Sequence, residues 1–123
     1  MKTVKVLIAE DNRFNQELIR YIIQSRGWEC AVVDNGEKAV QELSNASYDL
    51  LLMDIQMPVM NGIEATRAIR SANIPIPIIA ITAAKEQEIR EESILAGMND
   101  FISKPYRKED LFSSIDRCLC MTA

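Results

Sequence analysis

The 123-residue chain is long enough to bury a real core and too short for two ordinary domains, so a single domain over 1–123 is expected. Hydrophobic residues make up 48% and charged residues 26%, and 14 basic against 18 acidic groups leave a formal charge of -4 with no Lys/Arg-rich stripe, which speaks against direct binding to nucleic acid. There is no histidine, which excludes Ser-His-Asp and Cys-His catalysis, His-ligated zinc and a phosphohistidine carried by this chain.

The first apolar run, Val4 to Ala9, is too short for a secretory signal and leads straight into Glu10-Asp11. No segment approaches the ~20 apolar residues of a membrane span. Asn12 can cap a helix whose stripe is Phe14, Leu18, Tyr21 and Ile22, closed by Gly27. A second apolar run, Cys30 to Val33, precedes Asn35-Gly36 and a helix carrying Ala39, Val40 and Leu43. The third run, Leu50 to Met53, leads to Asn61-Gly62, which opens a helix flanked by Ile63 and Ile69. Pro75 and Pro77 hold the approach to the fourth run, Ile78 to Ile81, extended. A helix with Ile89 and Leu95-Ala96 then ends at Gly97, Phe101-Ile102 makes the fifth run, and Leu111, Ile115, Cys118 and Leu119 mark the last helix. Three cysteines, Cys30, Cys118 and Cys120, form an odd count without metal-ligand spacing, so reduced thiols and a cytoplasmic location are expected.

The first, third and fourth runs are nearly continuous rather than alternating, as in parallel strands covered on both faces. The expected fold is an α/β (βα)5 doubly wound sandwich with helices on both faces of a parallel sheet. Such sheets hold ligands beyond the carboxyl ends of their strands. Those ends carry Glu10-Asp11, Asp34, Asp54, Thr82 and Lys104. Asp34 reads as an ordinary loop residue, but the other four suit phosphoryl or metal chemistry.

A carboxylate can attack a phosphoryl group to give an acyl phosphate, provided that a cation offsets the repulsion between the two anions. Magnesium takes oxygen ligands and keeps several waters, so Glu10, Asp11 and Asp54 suffice if the first and third strands are neighbours. A strand order of 2-1-3-4-5 makes them so. Lys104 can pair with Asp54 at rest and with a phosphoryl oxygen afterwards; Thr82 offers a hydroxyl to another oxygen, and Ala83 and Ala84 leave the approach open. Each residue alone has a plain reading as turn, cap, strand or surface group. Four of them meeting on one edge read as a site.

The runs Val6 to Asn12, Met53 to Pro58 with Asn61-Gly62, Ile81-Thr82-Ala83 and Ser103-Lys104-Pro105 resemble receiver domains of two-component response regulators, over residues 4 to 119. The wording is closest to receivers of hybrid histidine kinases and phosphorelays. The resemblance implies the flavodoxin-like fold, Asp54 as phosphoacceptor, and a magnesium ion held by Asp11, Asp54, the Gln56 main-chain carbonyl and, through water, Glu10. Thr82 and Lys104 would bind phosphoryl oxygens, and the Lys104-Pro105 peptide would be cis. Phe101 occupies the place of a switch aromatic that is often tyrosine, so any role for a hydroxyl there is lost. The switch would couple Thr82 and Phe101 to the surface of the fourth helix, fifth strand and fifth helix. Partners implied are a histidine kinase or histidine phosphotransfer protein as donor, a downstream protein or attached output domain as target, and a second copy in a homodimer. The domain would be a switch that takes part in its own phosphorylation rather than a turnover enzyme.

Three rivals use similar residues. A haloacid-dehalogenase-type phosphohydrolase places a second aspartate two residues after the nucleophile, where this chain has Gln56, which cannot shuttle a proton. A pseudo-receiver would keep the fold and lack the chemistry. A flavodoxin-like nucleotide binder needs glycines or hydroxyls to cradle phosphate, and the acidic loop Glu10 to Asn15 lacks them.

Overall fold

The five apolar runs form five parallel strands, each followed by a helix, in a computed structural model that describes residues 3–83 and 87–122. In chain order these are β1 (Lys5–Ala9), α1 (Arg13–Gln24), β2 (Glu29–Val33), α2 (Gly36–Asn45), β3 (Leu50–Asp54), α3 (Gly62–Ser71), β4 (Ile78–Thr82), α4 (Gln87–Ala96), β5 (Asp100–Ser103) and α5 (Lys108–Thr122). The sheet order is β2-β1-β3-β4-β5, the doubly wound order expected above. Ala84 lies outside the described residues.

Alternate side chains of each strand enter opposite layers, as the two-residue strand period requires. Leu7, Leu51, Met53, Ile78 and Ala80 pack against Ala39, Leu43, Ile63, Ile69 and Ala96 of α2, α3 and α4. Val6, Ile8, Leu50, Leu52, Ile79 and Ile81 pack against Ile19, Ile22, Ile23, Leu111, Phe112 and Ile115 of α1 and α5. The central strands β1, β3 and β4 are therefore apolar on both faces, and their near-continuous runs follow from that.

Helix α1 departs from the expected stripe. Its buried residues are Ile19, Ile22 and Ile23, whereas Phe14 and Tyr21 are each 75% exposed and Leu18 is 43% exposed. The helix has two apolar faces, and the three isoleucines, not Phe14-Leu18-Tyr21, meet the sheet. The same holds for Leu95, which is 87% exposed while its neighbour Ala96 is buried.

The capping residues act as their chemistry predicts. Asn12, Asn35 and Asn61 each accept the main-chain N–H three residues on, and Asn61 with Glu64 completes a reciprocal capping box. Gly62 is forced by close approach: a Cβ there would lie 2.5 Å from the Asp54 carbonyl oxygen. Its own N–H donates to Ile55 O at 2.9 Å, so α3 begins directly against the loop after β3.

Candidate metal and phosphoryl site

Because β1 lies between β2 and β3, the residues just past its end stand beside the end of β3. Ala9 pairs with Met53, which sets Glu10 next to Asp54. Glu10 is 2% exposed and Asp54 7%, whereas Asp11 is exposed at the rim. One carboxylate oxygen from each of Glu10, Asp11 and Asp54 lies within 4.8 Å of the others. Carboxylates at that spacing raise one another's proton affinity, so a positive charge nearby stabilises the group.

Lys104 supplies that charge. Its Nζ donates to Glu10 Oε1 at 3.0 Å and to Asp54 Oδ2 at 3.3 Å. Burial works against the ammonium, but the hydrogen bond to Glu10 and the charges of Asp54 and Glu10 outweigh it and hold the Lys104 pKa above its ordinary value. Asp11 is raised above the usual carboxylate range, first by burial and then by the adjoining Glu10 carboxyl. Ionising the rim acid therefore carries a cost.

The loops that present these groups are fixed by main-chain bonds. Glu10 Oε2 accepts from Asn12 N at 2.9 Å, and Asp54 Oδ1 accepts from Gln56 N at 3.1 Å. Thr82, the last residue of β4, is fully buried, and its carbonyl accepts from Lys104 N at 2.8 Å, which ties the two strand ends together. The Lys104-Pro105 peptide is cis. Phe101 pairs with Ala80 in the sheet and is half-buried, with the Arg90 guanidinium 5.8 Å from its ring centroid.

Thus Glu10, Asp11, Asp54 and Lys104 converge, Thr82 ends the neighbouring strand, and Gln56 adjoins Asp54 through its main chain. Asp34 stays apart, paired with Lys38 at 2.9 Å on the surface of α2. Gln16, which helical spacing places on the exposed side of α1, turns inward instead: its Nε2 donates to the Glu10 carbonyl at 2.6 Å. Tyr106 was not singled out by sequence reasoning. It is half-buried, with its hydroxyl pushed up to about 12 by burial and by the charge of Glu10. Neither residue belongs to a motif that spacing alone would reveal.

Beside the acidic notch, Asn15, Leu18, Lys104, Pro105 and Tyr106 line an open hollow, and Phe14 stands exposed on the same helix. The arrangement can hold a hard cation on carboxylates, offer a carboxylate nucleophile, and neutralise an incoming anion with an ammonium.

Comparisons with known proteins agree with this geometry. Residues 6–116 match the family model of the response regulator receiver domain. The chain is 42% identical over 114 residues to the two-component response regulator ORR41 of Oryza sativa subsp. japonica, covering 89% of this chain and 90% of that protein. It spans only 4–9% of the length of several hybrid signal transduction histidine kinases of Dictyostelium discoideum that it also matches. Among solved structures, it superimposes with a TM-score of 0.89 and 36% identity on the receiver domain of sensor histidine kinase PA1611 from Pseudomonas aeruginosa PAO1, which has a magnesium ion coordinated in its active-site cleft; 97% of this chain and 99% of that one are covered. It also matches, at TM-score 0.91 and 31% identity over 98% and 92% of the two chains, the receiver domain of Ssk1 of Saccharomyces cerevisiae, solved with the histidine phosphotransfer protein Ypd1.

Proposed function

Because the chain belongs to the receiver-domain family of response regulators, we propose that Asp54 accepts a phosphoryl group from a phosphohistidine on a histidine kinase or phosphotransfer protein. The observation that carries this is the notch itself: Asp54 sits with Glu10 and Asp11 at ligand spacing and is hydrogen-bonded by Lys104. The residues fit magnesium, since all the donors are hard oxygens and they come from strand ends that the sheet holds rigid. Asp11, Asp54 and the Gln56 carbonyl would hold it directly and Glu10 through water. Bound there, the ion supplies charge neutralisation and alignment.

In the transfer, an Asp54 carboxylate oxygen forms the new O–P bond while the donor's N–P bond breaks and its electron pair returns to the imidazole nitrogen. Lys104 shifts its hydrogen bond from Asp54 Oδ2 to a phosphoryl oxygen, and the Thr82 hydroxyl donates to another. Water later cleaves the acyl phosphate and restores the carboxylate. The 123 residues act as one receiver domain and as a switch, with no turnover of a separate substrate. The hollow formed by α1 and the loop after β5, with exposed Phe14 and Leu18, suits a donor protein that must bring its histidine to Asp54.

Output follows from Thr82 moving towards the phosphoryl group and Phe101 repacking, which changes the α4-β5-α5 surface seen by a downstream protein, an attached output domain or a second copy. Three free thiols accord with a cytoplasmic setting. The test is phosphotransfer from a labelled phosphohistidine donor in magnesium, with Asp54→Asn as control. The wild type gains acid-stable, hydroxylamine-labile phosphate. Equal labelling of the variant refutes the assignment.

A further inference from the structure

At the end of the strands opposite Asp54, one side chain braces the carboxyl end of α4. Arg70, in the last turn of α3, donates from Nε and Nη2 to the Gly97 carbonyl at 3.0 and 2.9 Å. Its Nη2 also reaches Asn99 Oδ1 at 3.0 Å, and its Nη1 reaches the Ile74 carbonyl at 2.7 Å. Asn99 Oδ1 accepts from Ile78 N at 2.9 Å as well, and Asn99 N donates to Ile78 O at 2.7 Å. One guanidinium thereby joins the end of α3, the turn after α4 and the starts of β4 and β5. Gly97 takes a φ of +116°, and a Cβ there would lie 2.8 Å from Arg70 Cγ, so the turn is shaped around this arginine.

The other end of α4 has no such anchor among the described residues. Both buried residues of the helix, Ser93 and Ala96, lie in its second half. Over 87–92 Ile89 is half-buried and packs on the core, and Gln87, Glu88, Arg90, Glu91 and Glu92 are exposed. Apart from Ile89, the side-chain contacts of that half with neighbouring elements among the described residues are a solvent-exposed ion pair, Arg67–Glu92 at 3.4 Å, and the Arg90–Phe101 ring contact, both of a kind that holds weakly. The loose half is also the one nearer in sequence to Thr82.

We propose that Arg70 is a positioning residue for the switch: it pins the carboxyl end of α4, so that events at the phosphoacceptor tilt the helix about that end and its amino-terminal half carries the movement. The inference rests on the phosphoacceptor reading above. A helix fixed at one end converts a small displacement at Thr82 into a swing of the exposed first half, whereas a helix loose at both ends would dissipate it.

Amide hydrogen exchange of the whole chain, resolved by residue, tests this in EDTA and in magnesium with beryllofluoride. In the wild type, Met98, Asn99 and Ile78 exchange slowly, and beryllofluoride leaves them within about twofold of their EDTA rates while amides over 87–92 change more. In Arg70→Met, exchange at Met98 and Asn99 rises by about tenfold or more, as loss of a charge-assisted hydrogen bond implies. The beryllofluoride response then spreads through 93–99, and the acetyl phosphate labelling rate of Asp54 stays at the wild-type value. Gly97→Ala, which displaces the same guanidinium, gives the same pattern. Equal responses at both ends of α4 in the wild type overturn the proposal, as does an Arg70→Met pattern matching wild type. Should Arg70→Met not fold, Arg70→Lys, which keeps the charge and loses the fork, is expected to respond in the same direction, and the wild-type gradient still decides. If beryllofluoride perturbs no amide near Asp54, the phosphoacceptor reading fails by itself, while the slow-to-fast gradient along α4 in EDTA continues to test the anchor.

Discussion

Replacing Asp11 by Asn separates what the notch costs the fold from what it does. Glu10, Asp11 and Asp54 bring carboxylate oxygens within 4.8 Å. Two unit charges at that distance repel by about 0.9 kcal/mol in bulk water and by about 3.5 kcal/mol at an effective dielectric constant of about 20. Asp11 is exposed and Lys104 offsets part of the repulsion, so screening leaves about 0.5–1 kcal/mol to be regained by neutralising it. The sign follows from its raised pKa. Burial and then Glu10 disfavour the charged form in the folded state, so stability falls as pH rises from the ordinary 3.8 through the folded value, and the full cost is present at neutral pH. With an unfolding entropy of about 2.1 cal/mol/K per residue, Asp11→Asn should raise Tm in EDTA by about 2–4 °C. The gain should shrink in high salt. Magnesium should reverse the ranking, because saturation to 100 times Kd stabilises the wild type by about 2.7 kcal/mol and the variant has lost a charged ligand. Thermal melts followed by circular dichroism in EDTA and in magnesium measure both effects. A variant that melts at or below wild type in EDTA, or keeps the whole magnesium increment, refutes the reasoning.

Gly62→Ala should cost about 1–3 kcal/mol in urea denaturation, because its Cβ would lie 2.5 Å from the Asp54 carbonyl oxygen, and it should slow Asp54 labelling as well. For Asp100, burial raises the pKa, but the Ser114 hydroxyl, the Phe101 N–H and Arg117 together hold it below the ordinary range. Its contribution is therefore present above the unfolded value of 3.8 and lost as pH falls through the folded pKa. Asp100→Asn should flatten the acid limb of a pH-stability curve, and an unchanged limb would count against the assignment. Thr82→Ala should accept phosphate on Asp54 and transmit it poorly; equal partner affinity of phosphorylated variant and wild type would contradict that.

The sheet was legible because β1, β3 and β4 are apolar on both faces and their five-residue runs, bounded by turn signals, are shorter than buried helices. Strand ends shifted by a residue, with β3 reaching Asp54 and β4 reaching Thr82, because polar groups at the mouth still join the ladder. The acidic notch was legible because its carboxylates stand at the ends of β1 and β3, which the doubly wound order places side by side. The buried face of α1 was harder: Phe14, Leu18 and Tyr21 share a stripe as regular as that of Ile19, Ile22 and Ile23, and periodicity does not say which one meets the sheet. Gln16 and Arg70 were invisible for a different reason. Apart from Asn99 Oδ1, their partners are main-chain carbonyls, and those leave no trace in residue identity.

The ammonium that quiets the notch stands just past the last strand of the chain, a four-residue edge strand whose side chains are half-buried or exposed. Peeling β5 from β4 would carry Lys104 away and leave Glu10 and Asp54 facing each other inside the protein. Fraying of that margin and electrical imbalance at the centre are thus one event, and a cation neutralising the same carboxylates would uncouple them.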